Sequence, residues 1–290
     1  MNKHLFTCGH TACSGCGQAL AARLVIDASG PDTIVANNTG CLEVFSTKYP
    51  ESAWEVPWIH SLFENAAAVA SGIEAALIYL GKKESIHVIS QAGDGGTADI
   101  GLQALSGMWE RGHDVLSVCY DNEAYENTGI QRSGLTPYGT NTTTTPLGTK
   151  STGNIRPKKP MPEIANAHGI PYVAVASVGF PQDLQNKVKK AVSIRGPKYI
   201  QIHVPCPLGW RHEPGLTYAI AKLAVETGLY PLIEYENGKL VKVRQIQPKP
   251  VEEYLKLQGR FKHLINNAEE IKKIQEIADN NIQRYNLRIT

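Results

Sequence analysis

Two short segments of the chain combine glycines with side chains that carry oxygen. In the first, residues 91–97 read Gln-Ala-Gly-Asp-Gly-Gly-Thr and follow an apolar run, so that Asp94 stands at the predicted end of a strand. In the second, Asn122 comes shortly after the apolar run 115–120 and lies 28 residues beyond Asp94. Glycine lets a backbone approach a phosphate closely, while carboxylate and amide oxygens suit Mg²⁺. The two segments therefore predict a site for a diphosphate held through Mg²⁺.

The spacing of these segments indicates where they meet. About 28 residues are the length of one strand–helix–strand unit, and the parallel strands of such a unit place their carboxyl ends at one edge of the sheet. The N-terminus of the helix that follows the first strand favours an anion at this edge. We therefore expect Asp94 and Asn122 to be neighbours.

Apolar runs alternate with helical patterns over most of the chain, which predicts an α/β fold with a doubly wound parallel sheet. The predicted strands are 33–37, 86–91, 115–120, 172–176 and 198–204, and the predicted helices are 18–28, 62–80, 98–111, 163–168, 181–194 and 213–226. Beyond them, Asn237-Gly238 is a strong hairpin signal, and charged amphipathic helices follow it. We expect an α/β domain over residues 1–230 and a C-terminal hairpin and helical extension over residues 231–290.

The composition is that of an ordinary globular protein, with 42% hydrophobic and 19% charged residues. A net charge of +2 gives no basic bias that would favour nucleic acid. No apolar run approaches the length of about 18 residues that a membrane helix needs. The N-terminus lacks the apolar core of a secretion signal. We therefore expect a cytoplasmic protein that binds neither nucleic acid nor membranes.

Four of the six cysteines lie in turn-rich contexts at predicted strand ends or in a loop. Cys13 and Cys16 form a Cys-x-x-Cys pair, Cys41 follows Thr-Gly, and Cys206 lies between two prolines. Four thiolates can hold either a zinc ion or a [4Fe–4S] cluster. The cysteines alone leave both open, and for the Cys-x-x-Cys pair they also leave a disulfide or a redox thiol open.

Taken together, these motifs resemble the β subunits of the 2-oxoacid:ferredoxin oxidoreductase family, in particular those of the pyruvate:ferredoxin oxidoreductases. The resemblance covers nearly the whole chain in order, and the Gly-Asp-Gly turn with the later Asn resembles the thiamine diphosphate signature. The segments that carry it are Cys13-Ser-Gly-Cys16-Gly, Asn37-Asn-Thr-Gly-Cys41-Leu-Glu, Trp58-Ile-His-Ser-Leu-Phe-Glu-Asn-Ala-Ala, Gly93-Asp-Gly-Gly-Thr-Ala-Asp-Ile-Gly, Asp121-Asn-Glu-Ala-Tyr-Glu-Asn-Thr-Gly-Ile-Gln, Pro205-Cys-Pro and Lys249-Pro-Val-Glu-Glu-Tyr-Leu-Lys-Leu-Gln-Gly-Arg-Phe.

The resemblance implies the oxidative decarboxylation of a small 2-oxo acid on thiamine diphosphate and Mg²⁺, with pyruvate the leading substrate and coenzyme A the co-substrate. A [4Fe–4S] cluster would pass the electrons on toward an external ferredoxin, and this need favours iron–sulfur over zinc for the four cysteines. The implied partners are the α, γ and ferredoxin-like subunits of one complex, without which the chain is expected to be inactive.

Carried over position by position, the resemblance also implies the residues of the site. The implied cluster ligands are Cys13, Cys16, Cys41 and Cys206. The implied Mg²⁺ ligands are the side chains of Asp94 and Asn122 and the carbonyl oxygen of Ala124. The implied cofactor-binding residues are Gln18, Cys41, Gly93, Asp94, Gly95, Gly96, Asn122, Glu123, Ala124, Tyr125, Glu126 and Asn127. Asn127 is the implied catalytic residue, and Gln18 stands where some members of the family carry Glu.

Two questions stay open at this stage. In this family the carboxylate that activates the cofactor comes from a partner subunit, and Glu64 is the local alternative. The substrate could also be oxalate or a branched or aryl 2-oxo acid. Two alternatives come from other classes: a non-redox thiamine lyase, which predicts thiamine diphosphate without iron, and a zinc-stabilised binding module, which predicts zinc without thiamine diphosphate.

Overall fold

The structure, a computed structural model, describes residues 4–289. The helices in this range are α1 Gly17–Ser29, α2 Cys41–Ser46, α3 Ala66–Tyr79, α4 Asp94–Ala98, α5 Leu102–Glu110, α6 Met161–Ala167, α7 Pro181–Ser193, α8 Pro207–Trp210, α9 Thr217–Glu226, α10 Val251–Leu255 and α11 Ala268–Tyr285. The strands are β1 Thr33–Asn37, β2 Trp58–His60, β3 His87–Gly93, β4 Leu116–Asp121, β5 Leu147–Gly148, β6 Ser151–Thr152, β7 Tyr172–Ser177, β8 Lys198–His203, β9 Ile233–Glu236 and β10 Lys239–Val243. No helix within this range is long and apolar enough to cross a membrane.

Eight of the strands form one sheet in the order β10-β9-β7-β8-β4-β3-β1-β2. The six strands from β7 to β2 are parallel, which confirms the predicted doubly wound fold. Every residue of β4, β7 and β8 is buried, as expected for parallel strands covered on both faces. The sheet is mixed rather than purely parallel, because β9 pairs antiparallel with β7 and β10 antiparallel with β9.

Helices cover both faces of this sheet. Consecutive residues of a strand point to opposite faces, so the apolar strands present side chains on both faces for helices to bury. On one face α1 and α7 pack over an apolar cluster that includes Val118 and Tyr120 of β4. On the other face α3, α5 and α6 pack over a cluster that includes Cys119. Cys119 is fully buried there, so the structure uses it as a small core residue.

Two helices differ from the sequence-based expectation. The predicted helix 98–111 begins only at Leu102, as α5, and the separate short helix α4 ends at Ala98. The chain can bend sharply between them because Gly101 has no side chain, and a Cβ there would lie 2.0 Å from the carbonyl oxygen of Gly96. The predicted helix 62–80 begins only at Ala66, whose backbone N–H donates to Asn38 Oδ1 at 2.7 Å. A side chain at the end of β1 thus sets the start of α3.

The C-terminal residues are built onto the α/β body. Asn237 and Gly238 form the predicted hairpin turn with φ values of 48° and 82°, the left-handed pair that a two-residue hairpin favours. Helices α9, α10 and α11 share one apolar cluster with Val175 of β7. The residues after 230 therefore extend both the sheet and the core, and the division of the chain at residue 230 stays a prediction.

A charged cluster at the amino-terminal ends of β4 and β8 allows a test of stability. Asp114 lies 2.7 Å from Lys83 Nζ and also bonds Lys198, two lysines whose side chains are 9% and 4% exposed. Replacing Asp114 by asparagine is expected to lower the free energy of unfolding by about 3 kcal/mol, because both lysines would stay buried without their carboxylate. Urea unfolding of the variant and the wild type measures the loss.

The same cluster supplies the control and a pH dependence. Burial raises the pKa of Asp114, but Lys198 and Lys83 outweigh burial and lower it, so the stabilisation is present above the ordinary value of 3.8 and is lost as the pH falls below it. Glu84 bonds Arg195 in the same cluster but is 86% exposed, so Glu84→Gln should change stability by less than about 0.5 kcal/mol. Equal effects of the two substitutions at neutral pH would contradict the prediction.

Candidate active site

The predicted strand ends meet at one edge of the sheet. Gly93 of β3 lies opposite Tyr120 of β4. Asp94 is the first residue after β3, and Asn122 is the first residue after β4. One terminal atom of the Asn122 amide lies 2.9 Å from Asp94 Oδ1 and 2.9 Å from the Ala124 carbonyl oxygen. The three groups expected to share a cation thus converge.

The Asn122 amide can present either of its ends to the other two groups. With its nitrogen on that side, it donates hydrogen bonds to the Asp94 carboxylate and to the Ala124 carbonyl. With its oxygen on that side, three oxygens from three residues face one another. Such a set is stable only around a cation, and oxygen ligands of this kind suit a hard divalent ion. The arrangement therefore fits Mg²⁺.

The Asp94 carboxylate is held in a setting that favours a cation beside it. It is 1% exposed, and the hydroxyl of Ser133 donates a hydrogen bond to it. Burial, and after it the negative charge of Asp121, raise the pKa of Asp94 well above its ordinary value. A cation bound at Asp94 would supply the positive charge that its surroundings lack.

A cleft of about 470 Å³ opens above this edge. Its lining consists of Gln18, Thr39, Gly40, Cys41, Phe63, Gly93, Asp94, Gly95, Gly96, Asn122, Ala124, Tyr125, Glu126, Asn127 and Thr128. The cleft contains every predicted cofactor-binding residue except Glu123. Residues from five separated parts of the chain thus face one space, as a cofactor site requires.

Glu123 is the exception, because it does not line the cleft, and its assignment as a cofactor-binding residue stays a prediction. Its backbone has a φ of 66°, which turns the side chain into the protein interior. There its carboxylate lies 2.6 Å from Lys158 Nζ and 2.6 Å from Arg260 Nη2. Burial raises the pKa of Glu123, but Lys158 and Arg260 outweigh burial and lower it to about 2, so the group stays charged.

The glycines of the turn have different roles, which gives a second prediction. A side chain at Gly93 would meet no atom within 4 Å, so its methyl would enter the cleft. Gly93→Ala is therefore expected to fold normally and to bind thiamine diphosphate about tenfold more weakly or worse. At Gly95 a methyl would lie 2.2 Å from the Tyr125 ring, so Gly95→Ala should destabilise the fold by about 1–3 kcal/mol. Calorimetric binding and thermal unfolding of both variants separate the two effects, and normal binding by Gly93→Ala would contradict the first.

The four predicted cluster ligands come from three segments that hydrogen bonds hold together. The Gly17 backbone N–H donates to the Pro205 carbonyl at 3.2 Å, and the Thr217 hydroxyl donates to the Gly15 carbonyl at 2.6 Å. These bonds fix the Cys13–Cys16 loop against the Cys206 segment. Cys41 faces them from the first turn of α2.

The thiols of Cys16, Cys41 and Cys206 are partly buried, whereas Cys13 is exposed. Burial, and after it the neighbouring Cys16, raise the pKa of Cys41 to about 12, and burial with Glu126 raises the pKa of Cys206. The Gly209 backbone N–H points at Cys206 Sγ at 3.4 Å, the kind of donor that lines iron–sulfur sites. None of these cysteines is in a disulfide. As cluster ligands they would bind as thiolates and lose their protons to solvent, with the iron supplying the compensating positive charge.

Glu126 and Asn127 lie between the cysteines and the cleft. The Glu126 side chain bonds the thiol of Cys206, and burial above all raises the pKa of Glu126 to about 7. The exposed Asn127 side chain bonds the thiol of Cys41. Among the polar atoms of the described residues, Gln18 Oε1 and Glu126 Oε1 are buried without a hydrogen-bond partner, as expected of groups whose partner is a bound molecule.

Other cavities do not carry this chemistry. Glu64 borders a small interior space below Gly96 and does not line the cleft. A larger cavity of about 1,230 Å³ lies behind the site, against the C-terminal helices. At its floor Lys158 and Tyr230 bond Asp121 at 2.9 Å each, so these groups are already paired. Within residues 4–289 no three His, Cys, Asp or Glu side chains, those of the four predicted cluster cysteines included, lie close enough together to hold a metal ion as they stand.

Several residues of the site were not expected from the sequence. Ser133, which bonds Asp94, belongs to the polar segment 128–162, where no periodic pattern marks it. Trp210 and Arg260 lie behind the cation ligands and are almost fully buried. Arg260 stands in a segment that carries the family resemblance, but nothing there indicates its role, and Trp210 lies outside those segments.

Comparison with known proteins agrees with this geometry. Residues 38–202 match the family described as "Thiamine pyrophosphate enzyme, C-terminal TPP binding domain". Over 290 residues the chain is 59% identical to "Pyruvate synthase subunit PorB" of Methanosarcina barkeri, covering 99% of this chain and 98% of the relative. The protein of the same name from Methanocaldococcus jannaschii is 56% identical, with 94% of each covered.

Two further comparisons extend the range of relatives. "Ketoisovalerate oxidoreductase subunit VorB" of Pyrococcus abyssi is 51% identical, covering 93% of this chain and 89% of the relative. A solved structure of 2-oxoglutarate:ferredoxin oxidoreductase from Magnetococcus marinus aligns with a TM-score of 0.57 at 23% identity, over 73% of this chain and 76% of that one. At that identity the structure supports the fold.

Proposed function

This chain belongs to the 2-oxoacid:ferredoxin oxidoreductases as a β subunit with a thiamine diphosphate-binding domain, and from this premise we propose that it acts on pyruvate, with Mg²⁺ in the cleft and a [4Fe–4S] cluster beside it. The observation that carries the proposal is the convergence of Asp94, Asn122 and Ala124 at the floor of a cleft that Cys41 lines, with Cys13, Cys16 and Cys206 within range of the charge of Cys41.

The cation and the diphosphate have complementary partners in the cleft. Asp94, Asn122 and the Ala124 carbonyl would hold Mg²⁺, and the open space at Gly93 leaves room for the phosphate groups that share it. Tyr125 closes one side of the cleft, with its hydroxyl donating to Asp99 at 3.1 Å. These residues bind and orient the cofactor, and they shield its charged end from water.

The cluster would be held by Cys13, Cys16, Cys41 and Cys206. The partial burial of Cys16, Cys41 and Cys206, the influence of neighbouring cysteine charges on their pKa values and the N–H donor to Cys206 support this assignment. Because Cys41 lines the same cleft as Asp94, an electron leaving the cofactor has a short path to the cluster. This proximity suits an oxidative reaction better than a non-redox lyase or a zinc-stabilised binding module.

When bound, thiamine diphosphate supplies a nucleophilic carbon that can hold the electrons left by loss of carbon dioxide. In this arrangement Asn127 would offer its amide to the substrate oxygen at the mouth of the cleft, which stabilises negative charge there. The acidic side chains in the cleft lining are Asp94 and Glu126, and both already serve other contacts. The activating carboxylate is therefore proposed to come from a partner subunit.

Pyruvate is the proposed substrate because the relatives named for pyruvate synthesis match at 52–59% identity, against 50–51% for the ketoisovalerate relatives, and those above 52% are all named for pyruvate. The names of these relatives as subunits support assembly with further chains. The proposed partners are α, γ and ferredoxin-like subunits, with coenzyme A as the acyl acceptor and an external ferredoxin as the electron acceptor.

The test is the composition of the complex, purified anaerobically with its partner subunits. Thiamine diphosphate near one per chain, with Mg²⁺, iron and sulfide and little zinc, is the expected result, together with ferredoxin reduction by pyruvate that needs coenzyme A. Thiamine diphosphate without iron would point to the non-redox lyase. Zinc without thiamine diphosphate would overturn the proposal, and faster turnover of 2-ketoisovalerate than of pyruvate would change its substrate.

A further inference from the structure

Behind the proposed cation ligands lies a buried cluster of four charged side chains. Asp121 and Glu123 supply two negative charges, and Lys158 and Arg260 supply two positive charges. Lys158 Nζ lies 2.9 Å from Asp121 and 2.6 Å from Glu123, and Arg260 Nη2 lies 2.6 Å from Glu123. The charges balance, so the cluster is stable without solvent.

Arg260 differs from Lys158 in the number of groups that orient it. Its side chain is 2% exposed, its Nε donates to Gln258 at 2.9 Å, and its Nη2 donates to the Tyr254 hydroxyl at 3.2 Å. Its guanidinium carbon lies 3.6 Å from the centre of the Trp210 ring. A planar guanidinium fixed in this way can hold two neighbours in a defined relative position, which a lysine ammonium cannot do.

The two neighbours of Arg260 adjoin the two proposed centres: Glu123 adjoins the cation site, and Trp210 adjoins the iron–sulfur cluster. Glu123 stands between Asn122 and Ala124, two of the proposed cation ligands. Trp210 closes the short helix that begins after Cys206, where its backbone N–H donates to the Cys206 carbonyl at 3.0 Å. Its indole Nε1 donates to the Asn122 carbonyl at 2.8 Å. Arg260 therefore contacts both the cation-ligand loop and the cysteine-ligand segment.

We propose that Arg260, contributed by the C-terminal extension, is a positioning residue that holds the cation-ligand loop and the Cys206 segment in register through Glu123 and Trp210. It touches neither proposed centre itself. This inference rests on the proposed function for the identity of the two centres, and on the structure for the connection between them.

Three substitutions in the assembled complex distinguish the positioning role of Arg260 from the effect of its positive charge. Arg260→Met removes both the charge and the planar group, and Arg260→Lys keeps the charge but loses the stacking on Trp210. Lys158→Met is the matched control, because it removes one positive charge beside the same Glu123 carboxylate and Lys158 has no contact with Trp210. The readouts are thiamine diphosphate retained per chain after dialysis, iron per chain, and the electron paramagnetic resonance signal that Cys206→Ser abolishes.

Both Arg260 variants are expected to shift or weaken that signal, and Arg260→Met is also expected to retain thiamine diphosphate about tenfold less tightly. Lys158→Met should leave the signal unchanged. Two results would overturn the inference: the same signal change in Lys158→Met and Arg260→Met, which would show a charge effect alone, or a wild-type signal in both Arg260 variants.

A fourth variant keeps the test decisive if Arg260→Met fails to assemble. Trp210→Phe preserves an aromatic ring beneath the guanidinium but loses the indole N–H that bonds the Asn122 carbonyl. It should weaken thiamine diphosphate retention and leave the cluster signal close to the wild type, whereas Arg260→Lys is expected to shift or weaken that signal. If Arg260→Lys and Trp210→Phe behave alike, the inference is wrong. A wild-type complex that lacks thiamine diphosphate or iron would contradict the proposed function instead.

Discussion

Replacing Asn122 by alanine is expected to lower thiamine diphosphate and Mg²⁺ affinity by about 100-fold or more and to abolish pyruvate oxidation. Removing even an outer partner of a metal ligand costs about 10–100-fold in affinity. Asn122 is expected to contact the ion directly, 2.9 Å from the other two oxygens of the set. Equilibrium dialysis of the assembled complex, with thiamine diphosphate and Mg²⁺ varied separately, measures the loss.

The control keeps an oxygen at the same place. Asn122→Asp should recover most of the cofactor affinity, because a carboxylate can replace the amide oxygen as a ligand. Both variants should keep the cluster signal, since Asn122 does not touch the cysteines. If Asn122→Ala binds thiamine diphosphate and Mg²⁺ as the wild type does, the two strand ends do not form the cation site.

Replacing Cys206 by serine is expected to remove about four irons per chain and to stop ferredoxin reduction by pyruvate. Cys206 bonds Gly209 and Glu126 and contributes one of the four thiols, so three ligands would remain for four irons. Thiamine diphosphate content should change little, because Cys206 does not line the cleft. Iron and sulfide analysis and the resonance spectrum of the reduced complex measure the result.

Cys8 provides the matched control for this substitution. It is an exposed free thiol in the same N-terminal segment as Cys13, and Cys8→Ser should leave iron content, spectrum and activity unchanged. Unchanged iron in Cys206→Ser would show that the ligand set is wrong. Loss of iron in Cys8→Ser would show that the N-terminal segment uses a different thiol.

Local signals in the sequence predicted the parallel sheet and the meeting of Asp94 with Asn122. An apolar run, a glycine-rich turn and one helix of ordinary length leave few arrangements for a strand–helix–strand unit. The same signals predicted the β9–β10 hairpin, but they could not show that β9 joins the sheet beside β7. That pairing depends on the edge of β7, which is far from β9 in the sequence, so no local pattern around β9 predicts it.

The direction of Glu123 could not be predicted, although its position in the motif was evident. Its side chain turns inward because its backbone takes a positive φ and because Arg260, 137 residues later, supplies the opposite charge. A pair so distant in sequence has no local pattern. Turns and strand ends therefore predicted which segments meet at the edge of the sheet, and only the folded chain shows which side chains line the cleft and which support it from behind.

The distance along the chain between the cysteines has a consequence for how the protein is made. Cys13, Cys16 and Cys41 leave the ribosome before Cys206, which is 165 residues beyond Cys41. At about 5–20 residues per second, three thiols wait roughly 10–30 s for the fourth. Arg260 emerges later still. A cluster that needs all four thiols therefore cannot be completed before Cys206 has left the ribosome, and until then the three earlier thiols have no cluster to hold.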